Sequence, residues 1–308
     1  MTRPESAATR LAFIGLGIMG APMAANLLAA GVDVVGHSRT RAKVDELVPR
    51  GLRAADDVAT AVRDADVIIT MLPDSPDVEA VALGSGGVLA TARPGALFVD
   101  ASSIRPDVAR RIGEEAAANG LRFLDAPVSG GEKAAIDGTL SIMVGGAPEV
   151  FAAAVPVLEH VGTTIVHVGP VGAGQTVKAA NQLIVAGNIE LLAEALVFLE
   201  AHHVDTEAAI SVLEAGLAGS TVMARKARSM VARQFAPGFR IALHDKDLGI
   251  YTSAAREVGT ATPLGVVVAQ LMSAARAQGD GPLDHSALFR LVERLSGAGS
   301  TSSRSCHD

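Results

Sequence analysis

The stretch FIGLGIMGAPMAANLLAAG (13–31) constrains the fold more than any other part of the chain. It reads as a short apolar strand, a turn carrying Gly15, Gly17 and Gly20, and an alanine-rich helix closed by Gly31. A second apolar strand, Val32–Val35, follows at once, so the motif lies within a strand–helix–strand unit of about 30 residues. In that setting Gly15 makes the tight turn, Gly17 lets the backbone approach a pyrophosphate, and Gly20 lets helix and strand pack closely. The backbone from Gly15 through Leu16, Gly17, Ile18 and Met19 to Gly20 then offers N–H groups at a helix N-terminus to an anion. The glycines alone are equally compatible with a tight turn that binds nothing; the flanking strands favour a dinucleotide.

The same rhythm continues downstream. After the opening strand, Leu11–Ile14, and Val32–Val35, further strand candidates are Asp66–Leu72, Ala96–Asp100, Leu121–Leu124, Leu140–Val144 and Thr164–Val168, with helical spacing between most of them, as at Arg41–Val48 and Pro106–Asn119. This alternation predicts an α/β domain of the doubly wound Rossmann type over residues 1–172, its mostly parallel sheet covered on both faces. GPVGAG (169–174) reads as a hinge. From Gln175 to His203 runs a long apolar helical pattern, with His202 and His203 at its C-terminal end, where positive charge is favoured. Helical patterns follow at Thr206–Ala215, Val222–Ala232, Lys246–Val258, Thr262–Gln278 and His285–Leu295, with no strand candidate. The second domain, 173–296, is therefore predicted to be all helical, and the small, polar residues 297–308 read as a flexible tail.

Composition narrows the function. The 308 residues are 49% hydrophobic, enough for two cores, and the net charge of −7 has no basic block of the kind that binds nucleic acid. One cysteine, Cys306, allows no internal disulfide and suits a reducing cytoplasm. No apolar run reaches the roughly 18 residues of a membrane span, and the polar start has no signal-peptide core. No clustered Cys/His spacing calls for a metal. The second strand sets the adenosine end of the cofactor site. It closes VVGHSRT, with Ser38, Arg39 and Thr40 where NAD-specific folds carry an acid for the ribose. Two hydroxyls and a guanidinium suit a 2′-phosphate and favour NADP; an Arg39 that stacks on adenine would accommodate NAD as well.

Four further stretches resemble one family: MLPDSPDV (71–78), DASS (100–103), DAPVSGG (125–131) and GAGQTVKAANQ (172–182). With the glycine turn, they are similar to the β-hydroxyacid dehydrogenases, which include 3-hydroxyisobutyrate dehydrogenase. The helical-domain stretches GLAGSTV (216–222), PGFRIALHDKDL (237–248) and DHSAL (284–288) resemble the branch that reduces tartronate semialdehyde (2-hydroxy-3-oxopropionate). Some relatives carry Asp where Ser38 stands.

The resemblance makes Lys178 the catalytic lysine of a K-x-x-N motif. Lys178, Asn181, Gln182 and Val185 have i, i+3, i+4, i+7 spacing and share one helix face. An ammonium there would stabilise the alkoxide charge left by hydride addition and donate the proton. Outside such a motif, a lone helix lysine is ordinarily a solvated charge. Asn181 would orient the substrate. Ser129, Gly130 and Gly131 would bind its carboxylate through a hydroxyl and converging backbone N–H groups. Leu72, Pro73 and Ser103 would line the cofactor site at strand ends, and Lys246 would reach the cofactor from the helical domain. The expected activity is NAD(P)H-dependent reduction of a small semialdehyde acid by a homodimer or homotetramer. The alternatives are a relative acting on 3-hydroxyisobutyrate, succinic semialdehyde or glyoxylate, and a non-catalytic dinucleotide-binding module.

Overall fold

The structure is a computed structural model that describes residues 9–297. The expected tail beyond Gly297 and Cys306 lie outside the described residues. The chain packs as two compact units that part after Lys178.

The first unit runs β1 (Arg10–Ile14), α1 (Gly20–Ala29), β2 (Asp33–His37), α2 (Arg41–Asp45), β3 (Arg53–Ala54), α3 (Val58–Val62), β4 (Val67–Thr70), α4 (Ser75–Leu83), α5 (Val88–Thr91) and β5 (Leu97–Asp100). It continues with α6 (Pro106–Ala118), β6 (Arg122–Asp125), β7 (Val128–Ser129), α7 (Gly131–Asp137), β8 (Leu140–Gly145), α8 (Pro148–Leu158) and β9 (Gly162–Gly169). The sheet order is β3-β2-β1-β4-β5-β6-β8-β7, with β9 also on β8. Strands β1 to β6 pair in parallel, while β8 runs antiparallel to β6 and β7.

Strand periodicity explains why both faces are covered. Along β1, Leu11 and Phe13 enter one core with Met23, Leu27 and Leu140, while Ala12 and Ile14 enter the other with Val78, Phe98 and Ile112. Every one of these side chains is buried, so the strand reads as a continuous apolar run, as a doubly covered parallel strand must. The strand order reverses between β1 and β4, and their ends, Ile14 and Thr70, are in register. A crevice for a ligand opens at such a reversal.

GPVGAG is a tied turn between β9 and the long helix α9 (Ala173–Ala201), because the Gly172 N–H donates to the buried Asp125 carboxylate at 2.7 Å. One expectation is corrected: α9 is long and apolar enough to cross a membrane by length and composition alone. Its inward face is the spine of the second unit instead, through Ala186, Ile189, Leu192, Ala193 and Leu196.

The second unit adds α10 (Thr206–Ala215), α11 (Thr221–Val231), α12 (Ile241–Glu257), α13 (Pro263–Ala275), a 3-10 turn at His285–Ala287 and α14 (Leu288–Leu295). No strand forms among its described residues; the one strand-like contact is an isolated bridge between Arg240 and Asp284. Helix α12 starts five residues before the predicted Lys246, so HDKD lies within its first two turns. Side-chain caps begin α10 and α11: Asp205 accepts from the Glu207 and Ala208 N–H groups, and Ser220 from that of Met223.

Glu190 on α9 is an exception to the apolar spine. It is buried, its Oε2 finds no hydrogen-bond partner among the described residues, and burial together with the charge of Glu194 pushes it up from 4.5 to about 7. A carboxyl whose folded value lies above its unfolded value holds its proton more tightly when folded. Its contribution is therefore most favourable in acid and is lost as pH rises from 4.5 through about 7. Glu190→Gln is expected to raise Tm at pH 8 and leave it nearly unchanged at pH 5, as read by calorimetry in the two buffers.

Candidate active site

The glycine turn sits where β1 ends. The Gly15 N–H donates to the His37 carbonyl at 2.9 Å, which ties the turn to β2. Gly15 has φ +99°, and a Cβ there would strike the Met71 carbonyl on the neighbouring β4 connection. A Cβ on Gly20, the first residue of α1, would strike the Gly15 carbonyl. Gly17 differs from both: it is exposed, and a Cβ would meet nothing within 4 Å. Gly15 and Gly20 are thus glycine for packing, and Gly17 leaves open space beside a helix N-terminus that carries no acidic residue in its first turn. That is the cradle a pyrophosphate requires. Leu16 is fully buried and contributes only backbone; Ile18 is exposed, and Met19 forms the N-terminal boundary of α1.

Around this turn the strand ends bring further predicted residues. The Leu72 N–H donates to the Ser102 Oγ at 2.9 Å, and Ser102 is itself held by Asp100, which also accepts from Thr70 Oγ1 at 2.7 Å. Leu72 and Ser103 are half-buried and Pro73 is exposed, so the loops after β4 and β5 lie together. At the end of β2, Ser38 is half-buried and Arg39 and Thr40 are exposed. Arg39 pairs with Asp77 in the first turn of α4 at 2.9 Å, a partner the sequence did not point to. A 2′-phosphate would have to share the Arg39 guanidinium with that carboxylate.

Further predicted site residues lie at and after the end of β6. Asp125 is fully buried, and its two carboxylate oxygens accept from the Gly172 and Gln175 N–H groups at 2.7 and 2.8 Å. It thereby caps the start of α9 from across the sheet. Burial raises it from 3.8 to about 6, against those two hydrogen bonds, which act in the opposite direction. Gln175 extends the tie: its side chain donates to the Ser102 carbonyl at 2.8 Å and accepts from the Ile104 N–H at 3.0 Å. Lys178 follows one turn later and is only 8% exposed. Four residues after Asp125 comes Ser129, half-buried on β7, then Gly130 at φ +136° and Gly131 at the start of α7. A Cβ on Gly130 would press on Ala134, whereas one on Gly131 would meet nothing within 4 Å, as at Gly17.

In the second unit, Asn181 donates to the Gln182 Oε1 at 2.9 Å, and the Gln182 amide donates to Asp247 at 2.5 Å. Lys246 pairs with Asp247 at 2.9 Å. Asn181 and Lys246 are thus joined through two residues, Gln182 and Asp247, whose pairing sequence reasoning missed. Gln182 was on the predicted helix face, but nothing in the chain links it to a carboxylate 65 residues away. Among the described residues no group of three His, Cys, Asp or Glu side chains is placed to hold a metal ion.

The sheet order and the open Gly17 turn define a dinucleotide-binding protein. Comparison with known proteins extends this. The family described as the NAD binding domain of 6-phosphogluconate dehydrogenase matches residues 10–169, and that described as the NAD-binding domain of NADP-dependent 3-hydroxyisobutyrate dehydrogenase matches residues 172–292. The 2-hydroxy-3-oxopropionate reductase of Escherichia coli is 41% identical over 93% of this chain and 98% of its own. The 3-hydroxyisobutyrate dehydrogenase of Pseudomonas aeruginosa is 39% identical, with the same coverage. A solved structure of Mycobacterium tuberculosis 3-hydroxyisobutyrate dehydrogenase with L-serine superposes with a TM-score of 0.85 at 36% identity, over 92% of this chain and 99% of that one. The chain belongs to the 3-hydroxyisobutyrate dehydrogenase-like family of β-hydroxyacid dehydrogenases. It is an NAD(P)-dependent oxidoreductase.

The contrast between the glycines is testable. Gly17→Ala is expected to fold with an unchanged Tm and to bind NADPH at least about tenfold more weakly, because the new methyl occupies ligand space. Gly20→Ala is expected to lower stability by roughly 2–4 kcal/mol, because the methyl overlaps backbone. Calorimetry and cofactor fluorescence titration read the two effects separately.

Proposed function

We propose that the chain reduces tartronate semialdehyde to D-glycerate, with NADPH preferred over NADH. The observation that carries this reading is the Lys178 side chain, almost wholly buried one turn inside a helix whose N-terminus is pinned by Asp125. Bound NADPH supplies the hydride that adds to the aldehyde carbon. Lys178 holds a proton at Nζ and delivers it to the carbonyl oxygen as negative charge develops there; in the reverse direction it takes that proton back. Ser129 Oγ and the backbone N–H groups of Gly130 and Gly131 hold the substrate carboxylate, and Asn181 orients the reacting end. Gly15 to Gly20, Leu72, Pro73 and Ser103 hold the cofactor, with Ser38, Arg39 and Thr40 at the 2′-phosphate, and Lys246 is a further cofactor contact in this reading.

The 41% identity to a reductase of this substrate supports the choice. The 39% identity to a 3-hydroxyisobutyrate dehydrogenase supports a second reading in which a methyl replaces the hydroxyl next to the carboxylate. Assembly as a homodimer or homotetramer is part of the proposal: Ile184, Leu191 and Phe198 recur every seven residues on α9 and are each more than 60% exposed. The single cysteine favours the cytoplasm.

Steady-state kinetics with tartronate, methylmalonate and succinic semialdehydes, each with NADPH and NADH, tests the assignment; a kcat/KM that does not favour tartronate semialdehyde replaces the substrate. Lys178→Ala should lower kcat by about two to four orders of magnitude while NADPH affinity stays nearly constant. Near-normal turnover in that variant removes Lys178 from the mechanism.

A further inference from the structure

His244 on α12 and His285 in the 3-10 turn are both buried, at 0% and 8% exposure, and lie outside the roles assigned above. Their Nδ1 atoms stand 3.0 Å apart, and Phe239 sets its ring edge-on to both imidazoles. The other nitrogen of His244, Nε2, lies 3.0 Å from the backbone carbonyl of Gln182. A carbonyl only accepts, so His244 Nε2 carries a hydrogen. Two bare Nδ1 atoms would repel at 3.0 Å and two protonated ones would collide, so one hydrogen lies between the rings. His244 Nε2 donates to Gln182 whether or not the pair holds an extra proton. Burial and the charge of His244 drive His285 down to about 3, with Lys226 acting the same way and Asp284 opposing. Asp284 is committed elsewhere: it accepts from Lys226 Nζ, the Gly238 and Phe239 N–H groups, and Ser286.

The Gln182 backbone that His244 holds belongs to the residue whose side chain joins Asn181 to Asp247, and Asp247 pairs with Lys246. We propose that His285 and His244 form a hydrogen-bond relay that fixes the Asn181–Gln182 turn of α9 and, through Asp247, the Lys246 ammonium. They are positioning residues for substrate and cofactor binding, and neither exchanges a proton with the substrate. The inference rests on the roles proposed for Asn181 and Lys246.

The test compares His285→Ala, which deletes the donor, with His285→Asn, whose amide can donate toward His244 Nδ1. In the NADPH-dependent reductase assay, His285→Ala is expected to lower kcat/KM about tenfold, mainly through KM, with kcat changed less than about threefold. His285→Asn is expected to recover most of that loss. Nitrogen-15 spectra of the imidazoles in the intact wild-type enzyme should show a protonated His244 Nε2 and one protonated Nδ1 between the rings. They should show no titration of His285 between pH 5.5 and 8. Equal kinetics for His285→Ala and wild type, no recovery by Asn, or an unprotonated His244 Nε2 overturns the relay. Asn181→Ala is assayed beside them. If it is impaired while His285→Ala is not, the relay alone is wrong; if neither is impaired, the site reading falls and the proposal with it.

Discussion

The capping of α9 by Asp125 is the interaction on which the rest of the first unit depends. An α-helix begins with N–H groups that have no partner inside it. Here the partner is a carboxylate at the end of a central strand, bridged to Gly172 and Gln175 in one step. Two glycines make the approach possible: a Cβ on either Gly145 or Gly174 would run into the Asp125 carboxylate. Gln175 then passes the constraint to the loop after β5, through Ser102 and Ile104. The turn that positions Lys178 is therefore fixed to two strand ends before any ligand binds. Such preorganisation suits the proton-donor role proposed for Lys178, since misplacement by about 1 Å forfeits much of such an effect.

Asp125 and Glu190 show two outcomes of burying a carboxyl. Both are pushed upward, to about 6 and about 7, and burial is the first cause in each. Asp125 gains two N–H donors and with them a defined geometry. Glu190 has an acidic neighbour, Glu194, and an oxygen without a partner among the described residues. The first is a structural tie, while the second favours the protonated state near neutral pH. Asp284 is a third case: Lys226, Ser286 and two backbone N–H groups surround it, and, despite its burial, the hydrogen bonds and charge of Lys226 with the Ser286 hydrogen bond hold it well below the ordinary carboxylate range. Burial raises a buried carboxyl unless donors and cations together outweigh it, as they do at Asp284 and do not at Asp125.

Local signals made the sheet legible. The glycine turn, the apolar strands and the loss of alternation after Pro170 correspond to β1, the parallel order and the helical second unit. Strands β3 and β7 are two residues each, too short for any period to register. What the sequence did not disclose is pairing across distance. Arg39 with Asp77, Asp125 with Gly172, Gln182 with Asp247, and His244 with His285 are separated by 38 or more positions. Each joins residues whose types were visible and whose partners were set only by folding. In GPVGAG the glycines and proline mark a turn, and only the fold discloses that it is tied to Asp125.

These pairings explain why the candidate site residues are not interchangeable with others of their type. Lys178, Lys226 and Lys246 are all lysines of α-helices, yet their surroundings give them different work. Lys226 faces Asp284, which already accepts four other hydrogen bonds, so its ammonium is a fixed counter-charge. Lys246 shares Asp247 with Gln182, so it is oriented along with the amide of Asn181. Lys178 is placed by its backbone, through a helix start that neither slides nor frays while Asp125 holds it. Their surroundings, more than the residue type, distinguish the three lysines.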